Sequence, residues 1–326
     1  MDPAANSAVA VFGSNGRPAS HARAIWQAML DAGAVAFRLN TSHLSLDQLR
    51  AWLTDLPSVG APIVLDLQGS KWRLGQFEPI TLAHGQIIQL VLGSSTTRSD
   101  QLPVPHPDFF RAASLAGGEI VLNDAKIGLQ IESISDAAIT ARVLMGGQVS
   151  ARKGITLPRT SYRREVLSDK DQSIVAQTRQ LPGVRYAVSY VKDAVEMAQY
   201  RTLIGSPAYL IAKIERQTAV DDVRAIAARA DEVWMCRGDL GAELGLRAMA
   251  QAVQAVTAQV RELPVPVFMA GQVLEHMVDH AAPTRAEVCA LHDALAAGYR
   301  GVVLSDETAI GRYPIESVRA AALFQT

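Results

Sequence analysis

Short apolar segments that end abruptly in charge recur along this chain. In Tyr209–Glu215 an apolar run leads into a lysine and a glutamate, and in Glu232–Asp239 another leads into an arginine and an aspartate. Parallel strands that are buried on both faces read as near-continuous apolar runs. We therefore expect both segments to be interior strands whose carboxyl ends carry charged side chains.

Short apolar runs that predict strands occur eight times along the chain, with helical periodicity between most of them. The predicted strands are Ala8–Phe12, Ala34–Leu39, Pro62–Leu67, Arg185–Tyr190, Tyr209–Ile214, Glu232–Cys236, Pro266–Ala270 and Gly301–Leu304. Predicted helices include Thr218–Arg229 and Leu246–Leu263, and Ser20, Ser168 and Thr284 are expected to open others. Strands alternating with helices in this number favour an α/β fold, a closed (β/α)8 TIM barrel, over an open sheet.

From about Leu74 to Arg152 the alternation becomes short, with frequent turn residues. The predicted strands in this segment are Gln86–Leu92, Glu119–Leu122, Gly128–Ile134 and Ala138–Leu144, and Pro103–Pro107 is predicted to be a stiff loop. We expect a small all-β domain at 74–152, inserted into a barrel formed by 1–73 and 153–326.

The composition narrows the class of protein. The 326 residues are 49% hydrophobic and 19% charged with a net charge of −1, which is typical of a soluble globular protein. Nothing in the charge favours a nucleic acid or a membrane surface as partner. The two cysteines imply no disulfide framework, and the amino terminus lacks the features of a signal peptide. A cytoplasmic enzyme is the expectation.

In a barrel the carboxyl ends of all strands meet on one face, where enzymes of this fold keep their chemistry. The residues expected there are Arg38, Asn40, Ser42, Asp66, Arg73, Lys213, Glu215, Arg237, Asp239, Gln272, Ser305 and Glu307. Guanidinium groups suit a phosphorylated or carboxylated small molecule. Glu215 and Asp239 would be ligands of a hard divalent cation, and the alternative for each is a loop salt bridge.

Two further motifs carry less weight. His276 and His280 stand at i, i+4 and are compatible with a zinc pair, but no third ligand has a compelling position, which favours a solvated turn. The segment 13–16, Gly-Ser-Asn-Gly, is glycine-rich after a strand, yet it is neither a Walker A loop nor a dinucleotide fingerprint.

Nine motifs follow one another along nearly the whole chain. They are Arg38-Leu-Asn-Thr-Ser-His43, Leu65-Asp-Leu-Gln-Gly-Ser-Lys-Trp-Arg73, Arg152-Lys-Gly-Ile-Thr-Leu-Pro158, Leu167-Ser-Asp-Lys-Asp171, Ile211-Ala-Lys-Ile-Glu215, Arg237-Gly-Asp-Leu-Gly241, Gln272-Val-Leu-Glu275, Pro283-Thr-Arg-Ala-Glu-Val288 and Leu304-Ser-Asp-Glu-Thr308. In this order they resemble the motifs of pyruvate kinases. The set is specific, and it implies that 74–152 is a mobile lid.

The resemblance also implies roles for single residues. Lys213 would touch the transferring phosphoryl group, with Arg38 and Arg73 as further catalytic cations. Glu215 and Asp239 would hold Mg²⁺ or Mn²⁺, and the monovalent site would involve Asn40, Ser42 and Asp66. Substrate contacts would come from Arg237, Gly238, Asp239, Gly271, Ser305 and Glu307, and nucleotide contacts from Arg38, Asn40, His43, Arg73 and Lys153.

This sequence departs from the family pattern at informative positions. Lys71 replaces a glutamate, which implies that K⁺ is not required, because a fixed ammonium can replace the charge of the ion. Gly271 replaces a threonine, and the segment 12–15 departs from the nucleotide-contacting motif of the first strand. The chain stops at Thr326, so the regulatory carboxyl-terminal domain of the family is expected to be absent.

The leading hypothesis is a Mg²⁺-dependent phosphotransferase that acts on phosphoenolpyruvate, or a related enol phosphate, and ADP or ATP. Two alternatives are a metal-dependent lyase or decarboxylase of a 2-oxo acid and a catalytically weak paralogue that binds metabolites. Homo-oligomers through the barrel helices are compatible with the pattern. Nucleotide binding separates the first two hypotheses, and metal-dependent turnover separates both from the third.

Overall fold

The computed structural model describes residues 7–12, 23–55, 60–116, 118–123, 126–158 and 167–324. The predicted glycine-rich turn at 13–16 and the predicted helix cap at Ser20 lie outside these residues. The chain forms two compact units. The first unit comprises Met1–Gly69, Val166–Arg237 and Gln251–Thr326, and the second comprises Ser70–Glu165 and Gly238–Ala250.

The strands of both units are numbered in chain order. They are β1 Ser7–Phe12, β2 Ala34–Asn40, β3 Ile63–Leu67, β4 Ile80–Leu82, β5 Ile87–Leu92, β6 Gln101–Val104, β7 Glu119–Leu122, β8 Ile127–Ile134, β9 Ala138–Met145, β10 Gly147–Val149, β11 Ile155–Thr156, β12 Val184–Val188, β13 Tyr209–Ile214, β14 Glu232–Cys236, β15 Val267–Ala270 and β16 Gly301–Val303.

The helices of both units are numbered in the same way. They are α1 Arg23–Asp31, α2 Leu46–Asp55, α3 Pro107–Ala116, α4 Asp169–Thr178, α5 Ala194–Ile204, α6 Gln217–Asp221, α7 Val223–Ala227, α8 Arg237–Leu244, α9 Leu246–Thr257, α10 Arg285–Ala297, α11 Asp306–Ala309 and α12 Pro314–Ala321. Short 3₁₀ turns occupy Thr41–His43, Val260–Glu262 and Glu275–Val278.

The first unit is built on a parallel sheet whose strands pair in a closed ring. The order around the ring is β1-β16-β15-β14-β13-β12-β3-β2. All eight are the strands predicted from the apolar runs, and β13 and β14 have the predicted bounds. The predicted α/β class is therefore confirmed.

Side chains alternate between the two faces of each strand, and one face of these strands forms an apolar core. That core comprises Ala36, Val64, Ala187, Ile211, Trp234, Cys236, Phe268, Ala270 and Val303. Cys236 is buried among these residues, as expected for an unreactive packing thiol. Beyond the core, polar residues continue the same face of these strands.

The second unit consists mainly of antiparallel strands around its own apolar core. Its larger sheet has the order β11-β7-β8-β9-β5-β6, and β10 pairs with β4. The predicted all-β character is wrong, because α3 is a helix within this unit. Pro107, predicted to lie in a stiff loop, occupies the first helical position, where its missing N–H costs nothing. Phe109, Phe110 and Ala113 are buried at helical spacing.

Other local predictions also need correction. The expected helix at 218–229 is two short helices, α6 and α7, with Asp222 between them accepting a hydrogen bond from the Ala194 N–H at 2.8 Å. Helix α9 ends at Thr257 rather than Leu263. The second unit begins at Ser70 and includes 238–250, whereas the sequence placed the insertion at 74–152 alone.

Candidate functional site

Charged side chains of the first unit continue the apolar face of its barrel strands. Arg38 follows Ala36 by two positions on β2, Asp66 follows Val64 on β3, and Lys213 follows Ile211 on β13. Side chains two positions apart lie on the same face of a strand. The strand alternation therefore directs all three charges to one side of the sheet, just beyond its core.

Asp66 connects these charges. Its side chain is 3% exposed, and its Oδ2 forms an ion pair with Arg38, whose Nε donates at 2.7 Å. The ammonium of Lys213 lies 3.2 Å from each Asp66 carboxylate oxygen. The Ser189 hydroxyl donates to Oδ1 at 3.0 Å. Both oxygens of this buried carboxylate therefore have charged or polar partners.

Lys213 extends the network to a second carboxylate. Its Nζ lies 2.9 Å from Oε1 of Glu215 and donates to the Ser189 hydroxyl at 2.8 Å. Arg38, Asp66, Lys213 and Glu215 thus form a connected charge cluster with two positive and two negative groups. Burying charges is costly unless they are paired and hydrogen-bonded, and this cluster meets that condition.

The cluster shifts the protonation of its members. Burial opposes ionisation of Asp66, but the charges of Arg38 and Lys213 outweigh it and lower its pKa to about 2. Burial by itself would lower the pKa of Lys213, whereas Asp66 and Glu215 raise it, and the net direction is upward. At neutral pH Lys213 is an ammonium ion and Asp66 is a carboxylate.

Glu215 is 2% exposed and is held at both oxygens. Besides the ion pair with Lys213, its Oε2 accepts a hydrogen bond from the Tyr190 N–H at 2.8 Å. Tyr190 follows β12 with φ of 62°, a left-handed conformation that non-glycine residues rarely adopt. The glutamate therefore fixes the backbone at the end of the neighbouring strand.

Comparison with known proteins identifies the family. The family model described as "Pyruvate kinase, barrel domain" matches residues 7–318. This chain belongs to the pyruvate kinase family. The pyruvate kinase of Methylorubrum extorquens is 31% identical over 309 residues, and one from Agrobacterium vitis is 34% identical over 312 residues; each alignment covers 92% of this chain. A third, from Mycobacterium tuberculosis, is 29% identical over 313 residues and 93% of this chain.

The chain spans 64%, 65% and 66% of the lengths of these three relatives, respectively. The match covers nearly the whole of this chain and contains all the motifs that carry the resemblance. Membership of the pyruvate kinase family, predicted from those motifs, is thereby confirmed.

The second unit of this pyruvate kinase relative carries the predicted cations Lys71, Arg73 and Lys153. Lys71 is buried and forms an ion pair with Asp239, which lies in the first turn of α8. A Cβ atom on Gly154 would come within 2.4 Å of Lys71 Cε, so the lysine stem crosses this glycine closely. Gly238 and Gly241 lie inside α8.

Arg73 and Lys153 also belong to the second unit. Arg73 is partly buried, and its guanidinium donates from Nη1 to the Arg152 carbonyl at 3.0 Å. The Lys153 carbonyl accepts from the Leu74 N–H at 2.9 Å, and its side chain is partly exposed. Their predicted contacts with phosphate groups stay predictions.

The Arg237 side chain holds backbone rather than presenting its full fork to a ligand. Its guanidinium donates to the carbonyl of Gly271 from Nε at 2.9 Å and from Nη2 at 2.7 Å, and to that of Gln272 at 3.0 Å. Both acceptor residues have positive φ, 87° and 53°. Arg237 thus stabilises a left-handed segment after β15, and the glycine suits the conformation at 271.

Glu307 acts in a similar way at the neighbouring strand ends. This carboxylate is fully buried, and it accepts hydrogen bonds from the Leu274 N–H at 3.0 Å and the Ser305 N–H at 2.6 Å. Glu307 thus holds backbone at these strand ends, and its predicted substrate contact stays a prediction. Ser305, at the start of α11, is partly exposed.

The residues of the predicted monovalent site lie at the ends of β2 and β3. Asn40 Oδ1 accepts from the Ser42 N–H at 3.2 Å and so caps the 3₁₀ turn, whose last residue is His43. Asp66 has Arg38 and Lys213 as partners. Two protein cations therefore already neutralise the carboxylate that was expected to hold a monovalent ion.

The histidine pair shows no arrangement suited to a metal. The rings of His276 and His280 stack with centroids 3.8 Å apart, and each Nδ1 lies within 3.1 Å of a backbone carbonyl. Within the described ranges no group of three or more His, Cys, Asp and Glu side chains is placed to hold a metal ion. Among the same residues, no helix has both the length and the apolarity to cross a membrane.

Sequence reasoning missed several polar residues that organise the first unit. Ser189 and Tyr190 end a predicted strand and carry no predicted role of their own, although Ser189 follows the core residue Ala187 by two positions. That period-two spacing is a signal that could have found Ser189. Lys170 and Asp171 were recognised only as part of a motif, because the neighbouring sequence does not show which backbone groups they bind.

Proposed function

We propose that this chain catalyses Mg²⁺- or Mn²⁺-dependent phosphoryl transfer between phosphoenolpyruvate, or a related enol phosphate, and a nucleotide such as ADP. The observation that carries the proposal is the buried ammonium of Lys213, which lies between Asp66 and Glu215 at the end of a barrel strand. Family membership and the names of the relatives support it.

Lys213 would stabilise the charge of the transferring group. Negative charge in phosphoryl transfer spreads over the phosphoryl oxygens, and a preorganised cation lowers the energy of that state. Because the surrounding carboxylates raise the pKa of Lys213, it keeps its proton at neutral pH. We therefore assign it an electrostatic role and no part in proton transfer.

Arg38 would bind nucleotide phosphate, with Arg73 as a second phosphate ligand. The Arg38 side chain is 13% exposed, and Asp66 orients its guanidinium. A planar guanidinium matches phosphate oxygens in a bidentate manner. For the substrate carboxylate we propose the backbone N–H groups that open α8 at Gly238 and Asp239, where the helix dipole favours an anion.

We propose Glu215 and Asp239 as the carboxylate ligands of Mg²⁺ or Mn²⁺. Mg²⁺ is commonly bound through one or two protein carboxylates and takes its other ligands from water and substrate phosphate. Glu215 offers buried carboxylate oxygens whose present partners leave lone pairs available, and Asp239 is the proposed second ligand. When bound, such an ion supplies positive charge to the substrate oxygens.

The test is formation of pyruvate and ATP from phosphoenolpyruvate and ADP, with and without Mg²⁺. We expect Mg²⁺-dependent turnover that falls by about 10²–10³-fold in Lys213→Met, the range seen when one transition-state donor is removed. Lys192→Met, at an exposed lysine, is the matched control, and thermal melting checks that each variant is folded. A wild-type protein without Mg²⁺-dependent ATP formation would refute the proposal.

A further inference from the structure

The first turn of α4 bears two adjacent residues that bind the loops after two barrel strands. Lys170 Nζ donates to the carbonyls of Thr41 at 2.5 Å and Leu44 at 2.6 Å, in the loop after β2. Asp171 accepts from the N–H groups of Gln68 at 3.2 Å and Gly69 at 3.1 Å, in the loop after β3. Both loops follow strands that carry members of the charge cluster.

The base of this arrangement is well anchored. Ser168 caps α4, and its hydroxyl accepts from the Asp171 N–H at 3.1 Å. The Asp171 side chain is almost fully buried, and each carboxylate oxygen accepts one amide proton of the loop after β3. Burial raises the pKa of Asp171, and the hydrogen bonds from Gln68 and Gly69 partly oppose that rise. The carboxylate has one orientation that satisfies both amides.

From Gly69 the contacts lead directly to Lys213. Gly69 has φ of 59°, and a Cβ atom there would lie 2.0 Å from the Ser189 carbonyl oxygen, so the two backbones are in close contact. The Ser189 N–H donates to Leu67 at 3.3 Å, which joins β12 to the end of β3. The hydroxyl of Ser189 then binds the Lys213 ammonium at 2.8 Å.

Lys170 is connected to the charge cluster through Thr41. The Thr41 hydroxyl, which is buried, donates to the Asp66 carbonyl at 2.7 Å. Lys170 holds the carbonyl of the same threonine. The loop after β2 is therefore tied both to α4 and to the end of β3, where Asp66 lies.

We propose that Asp171, with Lys170 beside it, is a positioning residue that sets the Lys213 ammonium through Gly69 and Ser189. The inference rests on the proposed function, since it assigns Asp171 an effect on phosphoryl transfer. Neither residue touches the reacting groups. Misplacement of a positioned group by about 1 Å can cost about 10²-fold in rate, which sets the size of the expected effect.

The experiment compares Asp171→Asn and Asp171→Ala with Ser173→Ala. The asparagine keeps one acceptor but turns an NH₂ group towards an amide N–H, whereas Ser173→Ala removes an α4 hydroxyl that donates to the Asp169 carbonyl and leaves the loop contacts in place. We expect kcat to fall about 10–10²-fold in both Asp171 variants with a smaller change in KM. Ser173→Ala should leave kcat close to that of the wild type.

A second readout does not depend on activity. The side-chain ammonium signal of Lys213, assigned with Lys213→Arg, is compared by NMR between wild type and Asp171→Asn below the melting temperature of both. A displaced signal together with lower kcat supports the proposal. An unchanged signal, or full kcat in a less stable Asp171→Asn, overturns it. If the wild type shows no phosphoryl transfer but the Lys213 signal still differs between wild type and Asp171→Asn, the proposed function is refuted, whereas the positioning of Lys213 by Asp171 stands.

Discussion

At the scale of single residues, the charged groups of the first unit serve two purposes. Arg237 and Glu307, expected to contact substrate, bind backbone groups of the loops after β15 and β16. Lys213 and Glu215 are buried in the charge cluster at the strand ends. Glu215 binds both the Lys213 ammonium and the Tyr190 N–H, whereas Arg237 and Glu307 hold backbone groups.

Glu215 and Asp239 are expected to be jointly required for divalent cation binding. Loss of either carboxylate leaves a hard cation short of an oxygen ligand, so Glu215→Gln and Asp239→Asn should each weaken Mn²⁺ affinity by at least about tenfold. Calorimetric titration of Mn²⁺ into each variant measures the affinity. Glu232→Gln, which alters a buried glutamate at the start of β14, is the matched control. Undiminished affinity in Glu215→Gln would contradict the assignment.

Activity is expected not to require K⁺. The reason is Lys71, whose buried ammonium supplies a fixed positive charge in the second unit. This ammonium pairs with Asp239. Initial rates in tetramethylammonium buffer should stay within about twofold of those in potassium buffer, because a fixed charge does not depend on the ion supplied. Lys71→Met should change this ratio, and Lys126→Met, at an exposed lysine, should not. A large loss of wild-type rate without K⁺ would show that Lys71 acts elsewhere.

Gly271 is expected to make this protein a poor pyruvate kinase, since it lacks the hydroxyl that helps to protonate enolpyruvate. Loss of a positioned proton-transfer group commonly costs about 10²–10⁴-fold in rate. Because φ is 87° at this position, any side chain at 271 is strained, so Gly271→Thr must be compared with Gly271→Ala. Faster deuterium exchange into pyruvate with threonine than with alanine would support the hypothesis; equal rates would contradict it.

At the scale of elements, α10 shows how much of a helix its own sequence specifies. Thr284 accepts from the Glu287 N–H at 3.1 Å, and Glu287 accepts from the Thr284 N–H at 2.8 Å, which forms a capping box. Gly298 ends the helix in a left-handed conformation. The start at Thr284 agrees with the predicted signal.

Thr284→Ala is expected to lower the free energy of unfolding by about 1 kcal/mol, the usual effect of removing a helix cap. Denaturant unfolding followed by circular dichroism measures it. Ser173→Ala is the control, because that hydroxyl bonds to the Asp169 carbonyl within α4 and caps no helix. Equal effects of the two substitutions would show that the capping box adds nothing beyond a surface hydroxyl.

At the scale of the whole molecule, the charge cluster makes stability depend on pH. The folded state binds the Asp66 proton more weakly than the unfolded chain does, because its pKa is lowered to about 2. The stabilisation is therefore fully present above the unfolded value near 4 and is lost as the pH falls towards 2, and it amounts to about 2 kcal/mol.

Asp66→Asn should abolish that part of the acid dependence and destabilise the protein by about 3–5 kcal/mol at neutral pH, since Arg38 and Lys213 lose their shared partner. Unfolding free energies measured at several pH values between about 6 and 2 give both quantities. Asp100→Asn, at an exposed ion pair with Arg98, is the control. An identical acid dependence in wild type and Asp66→Asn would exclude Asp66 as its source.

Local patterns were sufficient for the strands of the ring and for the positions of its charges. An apolar run with period-two alternation predicts both a strand and the face on which Arg38, Asp66 and Lys213 lie, because backbone geometry sets this within a few residues. The family followed from motifs of the same short range. Helix α3 was missed because the prolines before it and at its first position suggested a loop, whereas the burial of Phe109 and Phe110 favours the helix.

The partners of each charged side chain could not be predicted from local sequence patterns. Lys213 and Asp66 are 147 positions apart, and Lys170 binds a carbonyl 129 positions earlier. Which acid meets which base depends on strand order and on register between distant segments, and these follow from packing of the complete sheet. The sequence therefore predicts a set of candidate residues, while folding brings Ser189 and Asp171 into that set and turns Arg237 and Glu307 towards the backbone.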